Sequence, residues 1–165
     1  MATYVNEYVQ ELHRQGADRM VRELVHSVLI LQGLTGTLRE PARSGTTVIT
    51  DLNETVTLSK LVGRVFPLVK SRSTPPGPIL VGRGADSDVA IPDYSVSSRH
   101  CYFAFGGKDV LLSDCGSTNG TFVDGRQLAP RQKVPLSGGE KLVVGRFAFI
   151  FLRPLGFLDY LSRQP

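Results

Sequence analysis

Short apolar runs separated by turn residues fill the chain from about residue 58 to residue 154. The clearest runs are Ile79–Val81, His100–Phe105, Asp109–Ser113, Lys141–Val144 and Arg146–Leu152. Many short runs at this spacing predict the strands of an antiparallel β-sandwich or barrel. In the last run, phenylalanine occupies every second position and other small or apolar residues lie between, a pattern typical of a strand covered on both faces.

The N-terminal region has a helical spacing instead. Apolar residues recur every three or four positions, as at Val9, Leu12, Met20, Leu24 and Val28. This spacing predicts helix from about residue 4 to residue 31. Gly16 interrupts the pattern, so both two short helices and one long helix fit it. The apolar stripe must be covered, either by packing within the chain, on the β domain or in a small hairpin, or by a second copy in a homodimer.

Residues 33–57 lack apolar periodicity and are rich in threonine and glycine, which indicates a linker. We therefore divide the chain into a helical arm at 1–32, this linker, a β-rich domain at 58–154 and a tail at 155–165. The tail is apolar enough to form a short helix that packs back on the domain. The predicted fold class is mainly β, with helical extensions at both ends.

Composition and charge restrict the classes of function that the chain can have. The chain is 41% hydrophobic, but no apolar run is long enough to cross a bilayer, and the N-terminus lacks the pattern of a secretory signal. We therefore expect a cytoplasmic protein that does not bind membranes. From Leu61 onward the chain has thirteen Lys and Arg and eight Asp and Glu, a net charge of +5, which favours an anionic partner. The basic residues form no continuous stripe, so nucleic acid is not expected.

Three short polar motifs lie where predicted strands end. They are Gly82-Arg83, Ser97-Ser98-Arg99-His100 and Gly116-Ser117-Thr118-Asn119-Gly120. If the strand ends meet at one rim of the sandwich, the motifs combine an arginine with several hydroxyls and an amide. Such a set binds a phosphate group without transforming it. The two cysteines, Cys101 and Cys115, are too few for a disulfide framework and have no spacing for zinc, so we expect reduced thiols and no cofactor.

In this order, the three motifs resemble the forkhead-associated (FHA) domain, a module that binds phosphothreonine, over about residues 58 to 154. The resemblance implies that Arg83 forks onto the phosphate and that Ser97 and Thr118 donate hydroxyl groups to it. It implies that Asn119 holds the ligand backbone next to the phosphothreonine. Ser98 stands where relatives often carry a basic or amide residue and would donate with a shorter reach.

The remaining motif residues are implied to support the site. His100 would brace the loops through hydrogen bonds, and Gly82 and Gly120 would allow close backbone approach. The pair Ser97 and His100 also suggests a hydrolase, but no acid is placed to orient the histidine and no nucleophile elbow is present. We therefore predict a protein that is not an enzyme.

Two functions follow from the resemblance. The first is an adaptor that binds phosphothreonine peptides in a Ser/Thr kinase pathway, its ligand being another protein or its own linker phosphorylated at Thr46 or Thr55. The alternative is a non-catalytic scaffold in which the helical arm holds a partner. Gly145-Arg146 is expected to be structural rather than a second phosphate site.

Overall fold

The computed structural model describes residues 3–35 and 60–165. Within these ranges the helices are α1 (Val5–Gln15), α2 (Ala17–Glu23) and α3 (Pro154–Ser162). The strands are β1 (Val28–Leu34), β2 (Val65–Pro67), β3 (Ile79–Gly82), β4 (Val89–Ala90), β5 (Cys101–Gly106), β6 (Asp109–Asp114), β7 (Thr121–Val123), β8 (Arg126–Gln127), β9 (Lys133–Pro135), β10 (Lys141–Val144) and β11 (Phe147–Leu152). The predicted mainly β class with helices at both ends is confirmed.

The strands form two sheets that pack face to face. One sheet has the order β2-β1-β11-β10-β7-β8, and the other has the order β4-β3-β5-β6-β9. Strands β3 and β4 are parallel, and the other pairs named in these sheets are antiparallel. The main core lies between the sheets, where Phe103 and Phe151 stack with ring centroids 6.0 Å apart. Its residues alternate along the strands with residues facing outward, as the period of two requires.

Strand β1 corrects the helix prediction, which extended to residue 31. Helix α2 ends at Glu23, and Val28–Leu34 is a strand between β2 and β11. Leu29 and Leu31 face the main core, whereas Val28 and Ile30 face the helices. A short apolar run that is buried on both faces has no alternation with polar residues, so its pattern cannot separate strand from helix. The predicted arm and linker boundary at 32/33 therefore falls inside a strand.

Helices α1, α2 and α3 cover the outer face of the six-stranded sheet. Val9 and Met20 are buried against Phe157 and Leu161 in a second apolar cluster. Tyr8 meets Phe157 edge to face, with ring centroids 5.1 Å apart. The stripe of the N-terminal helices is therefore covered by the chain itself, and the predicted homodimer through that stripe finds no support.

The N-terminal region contains two helices rather than one. They are separated at Gly16, whose φ of +82° lies in the region that favours glycine. The tail forms the predicted short helix, and Pro154 stands at its first turn. In residues 3–35 and 60–165, no helix is both long and apolar enough to span a bilayer. Most of the predicted linker, with Thr46 and Thr55, lies outside the described residues.

Candidate functional site

The loop after β3 is bound to the loop before β5 through backbone hydrogen bonds. The Arg83 N–H donates to the Ser97 carbonyl at 2.9 Å, and the Gly84 N–H donates to the Ser98 carbonyl at 3.1 Å. The Arg83 side chain is exposed, and its Nη2 lies 3.5 Å from Ser98 Oγ. Among the described residues, no carboxylate lies within ion-pair distance of Arg83. The guanidinium therefore faces solvent with its donors available.

The turn before β7 joins the same place. The Thr118 N–H donates to Ser97 Oγ at 3.0 Å, so the Ser97 hydroxyl can still donate its own proton. Thr118 is exposed and Ser97 is half-buried. We call residues 83–84, 95–99 and 116–120 the loop rim. The loop rim brings together the three motifs that the sequence singled out, with Ser97 between the Arg83 backbone and Thr118.

Asn119 lies on the loop rim with its side chain half-buried. Its Nδ2 donates to the Ser95 carbonyl at 2.8 Å. This bond fixes which end of the amide points into the protein, so the amide oxygen points elsewhere. An amide held in this way presents an acceptor in one direction, which suits the N–H of an extended peptide.

His100 is buried and links two parts of the loop rim. The Ser97 N–H donates to His100 Nδ1 at 3.0 Å, so Nδ1 carries no proton. The proton is therefore on Nε2, which donates to the Gly120 carbonyl at 2.9 Å. Burial lowers the pKa of His100, although the bond to Gly120 opposes that shift. This arrangement supports the bracing role predicted for His100.

We expect the free energy of unfolding to fall as the pH drops below about 6.5. The pKa of His100 is lowered in the folded state, so below 6.5 the unfolded chain binds more protons than the folded one, and acid favours unfolding. Urea denaturation between pH 8 and pH 5 measures this slope. The lowered carboxyl pKa values of Asp88 and Asp114 act only below about pH 4.

The matched variant for this prediction is His100→Gln, which removes the titrating group while keeping a polar side chain. It should lower stability at all pH values and flatten the slope between pH 7 and pH 5. A wild-type stability that is constant over that range would contradict a neutral, buried His100.

Gly120 on the loop rim and Gly82 directly before it make close approaches. A Cβ on Gly82 would overlap the Ser98 carbonyl, which is fixed backbone rather than a flexible side chain. Gly120 has φ +83°, and a Cβ there would lie 2.6 Å from Gln127 Nε2. Both observations support the structural role that the sequence predicted for these residues.

Comparison with known proteins tests the family that these motifs resemble. Residues 79–145 match the sequence model of the family described as "FHA domain". The matched range includes every motif of the loop rim. The chain belongs to the FHA-domain family.

Two curated relatives match part of the chain. The oxoglutarate dehydrogenase inhibitor of Corynebacterium jeikeium is 38% identical over 71 residues, which are 43% of this chain and 47% of that protein. The glycogen accumulation regulator GarA of Mycolicibacterium smegmatis is 37% identical over 71 residues, 43% of each chain. The chain thus matches less than half the length of these relatives. By name, one is an inhibitor and the other a regulator.

A solved structure is similar to about half of the chain. It is the FhaA FHA domain complexed with the intracellular domain of Rv3910, with 32% identity and a TM-score of 0.45. The match covers 54% of this chain and 88% of that one.

Asp114 holds the turn of this FHA domain that carries Thr118 and Asn119, and the sequence analysis did not identify it. The N–H groups of Gly116 and Ser117 donate to Asp114 Oδ2 at 2.8 and 2.9 Å, and the hydroxyls of Ser117 and Thr121 donate to Oδ1. Burial raises the pKa of Asp114, but these bonds outweigh it and the net pKa lies below its ordinary value. An aspartate shortly before turn-forming residues, here Gly116 and Ser117, is the sequence signal of such a turn.

Two other arginines near the FHA motifs have carboxylate partners. Arg99 Nη1 lies 3.1 Å from Asp86 Oδ2, and both side chains are mostly exposed. Arg146 is 3% exposed and pairs with Asp93, so the prediction that Gly145-Arg146 is structural is confirmed. Cys101 is buried and Cys115 half-buried, and both thiols are free.

Proposed function

We propose that this chain is a cytoplasmic adaptor that binds phosphothreonine peptides in Ser/Thr kinase signalling and has no catalytic activity of its own. The observation that carries this proposal is the exposed guanidinium of Arg83, which lies beside the Ser98 hydroxyl on a loop whose backbone is hydrogen-bonded to Ser97. Membership of the FHA family supports it, because the family resemblance implies phosphothreonine binding.

The charge and the donors of the loop rim suit a phosphate monoester. Phosphothreonine carries about −1.5 to −2 charges and three strong acceptor oxygens at neutral pH. Arg83 supplies a planar pair of N–H donors, and the hydroxyls of Ser97, Ser98 and Thr118 supply single donors. A phosphate that replaced solvent beside Arg83 would therefore gain an interaction with a full positive charge and several hydrogen bonds.

The peptide part of the ligand is assigned to Asn119. Its amide is already oriented by the Ser95 carbonyl, so it can engage the backbone of an extended chain without further ordering. Recognition by backbone contact combined with a phosphate anchor is a known mode of peptide binding. The choice of residues beside the phosphothreonine then depends on side chains around Asn119.

The state of His100 supports binding rather than hydrolysis. A general base for Ser97 would need a free imidazole nitrogen that faces the Ser97 hydroxyl. Both nitrogens of His100 are instead bonded to backbone groups, the Ser97 N–H and the Gly120 carbonyl. We therefore assign His100 to the loop framework.

The proposal is tested by titrating the protein with a degenerate phosphothreonine peptide library. Phosphothreonine peptides should bind, phosphoserine versions of the selected peptides should bind more weakly, and unmodified peptides should not bind. Equal binding of modified and unmodified peptides would contradict the proposal. The hypothesis that phosphorylated Thr46 or Thr55 competes as a tethered ligand stays a prediction, tested by comparing peptide affinity before and after kinase treatment.

A further inference from the structure

The side chain of Asn119 rests on a residue outside the three motifs. Its Nδ2 donates to the carbonyl of Ser95, which is 1% exposed and precedes β5. A hydrogen bond to a backbone carbonyl orients an amide only as well as that carbonyl is itself held. The orientation of the Asn119 amide therefore depends on the groups that fix the backbone at Ser95.

Ser95 is bound on several sides. Its hydroxyl donates to Asp93 Oδ2 at 2.5 Å, and its N–H donates to the same oxygen at 3.0 Å. The Arg146 N–H donates to Ser95 Oγ at 3.0 Å. The chain at Gly145 approaches so closely that a Cβ there would lie 2.7 Å from the Ser95 carbonyl oxygen. The Ser95 backbone is therefore set by the turn between β10 and β11.

A buried ion pair holds that arrangement. Arg146 Nη2 lies 2.5 Å from Asp93 Oδ1, and Arg146 Nε lies 3.2 Å from Asp93 Oδ2, a two-point contact. Arg146 is 3% exposed and Asp93 is 8% exposed. The guanidinium also lies 4.6 Å from the ring centroid of Tyr94, and its Nη1 donates to the Tyr94 hydroxyl at 3.3 Å. A forked pair of this kind fixes the direction of the carboxylate as well as its position.

We propose that Arg146, Asp93 and Ser95 are positioning residues that set the amide of Asn119 for binding the ligand backbone. This inference deepens the proposed function and rests on it. The ion pair orients the Asp93 carboxylate, which accepts hydrogen bonds from the Ser95 N–H and hydroxyl. The Ser95 carbonyl in turn accepts a hydrogen bond from the Asn119 amide. The Asn119 oxygen is then directed away from the protein before any ligand arrives. Ordering a contact group in advance lowers the entropy lost on binding.

The test variant is Ser95→Ala, which removes the hydroxyl that joins Asp93 to the Arg146 backbone and keeps the Ser95 carbonyl. Its matched control is Ser113→Ala, because Ser113 is equally buried and its hydroxyl has no hydrogen-bond partner among the described residues. Urea denaturation of both variants checks that each remains folded. Either variant can lose stability, so stability alone does not decide the inference.

The first measurement needs no ligand. The side-chain amide of Asn119 is followed by ¹⁵N NMR in the wild type and both variants. Ser95→Ala should shift its two proton signals toward those of a solvated amide and speed their exchange, whereas Ser113→Ala should leave them unchanged. Unchanged Asn119 signals in a folded Ser95→Ala protein would overturn the positioning role.

The second measurement is a double-mutant cycle on the affinity for a selected phosphothreonine peptide. Ser95→Ala should weaken binding by about three- to tenfold in the wild type and by less than about twofold when Asn119→Ala is present, since residues that act through one contact are not additive. Equal losses in both backgrounds would overturn the inference and leave the proposed function standing. Failure of the wild type to bind any phosphothreonine peptide would overturn both.

Discussion

Replacing Arg83 by alanine is expected to weaken phosphothreonine-peptide binding by at least about tenfold. The variant loses a charge-assisted contact with the phosphate, and such contacts contribute about 1.5–3 kcal/mol. Because the side chain is exposed and has no carboxylate partner among the described residues, the fold should be unaffected. Isothermal titration with one peptide from the library measures the loss, and thermal unfolding confirms the fold.

Two further variants test whether the loss of affinity is specific to the guanidinium of Arg83. Arg83→Lys keeps the charge but loses the fork, so it should recover only part of the affinity. Arg22→Ala removes the same charge from the exposed surface of α2, on the helical layer, and should leave affinity unchanged. If Arg83→Ala and Arg22→Ala bind equally well, the loop rim is not the phosphate site.

The second large effect is expected for Asp93→Ala, which should lower the free energy of unfolding by about 3–5 kcal/mol. The variant leaves Arg146 buried without this carboxylate and also removes the acceptor of the Ser95 N–H and hydroxyl. Chemical denaturation of the variant and the wild type at neutral pH measures the difference.

An exposed aspartate–arginine pair provides the comparison. Asp86→Ala breaks the contact with Arg99, whose side chain is 66% exposed, and should change stability by less than about 1 kcal/mol. A loss of similar size in the two aspartate variants would show that burial does not govern the contribution of the Asp93–Arg146 pair.

The loop-rim motifs can be recognised in the sequence because their chemistry is local. Arg83, Ser97 and Asn119 each follow a strand ending or a turn signal that can be recognised within a few residues, and the structure brings their loops together. The partners that hold them are not local. Asn119 is bonded to Ser95 and Ser95 to Arg146, contacts that span 24 and 51 residues, and no short pattern encodes such distances.

The sequence predicted the secondary structure correctly where the hydrophobic periodicity was clear and wrongly where it was not. The alternating phenylalanines of β11 indicated a strand between two apolar layers, and its inner face does join the main core while Ile150 and Leu152 meet the helices. The run from Val28 to Leu31 has no alternation of residue type and continues the helical spacing of Met20 and Leu24, so its pattern fitted a helix as well as a strand. Its assignment depended on tertiary pairing with β11, which only the structure supplies.

The position of β1 limits how this domain can be shortened. The family match at 79–145 omits β1, β2 and β11, although β1 and β11 are inner strands of the six-stranded sheet. A fragment trimmed to the matched residues would leave the backbone of β10 unpaired along one side and expose Leu142 and Val144. Unpaired strand edges invite association between copies, so a recombinant protein intended for binding assays should start upstream of Val28 and continue through α3.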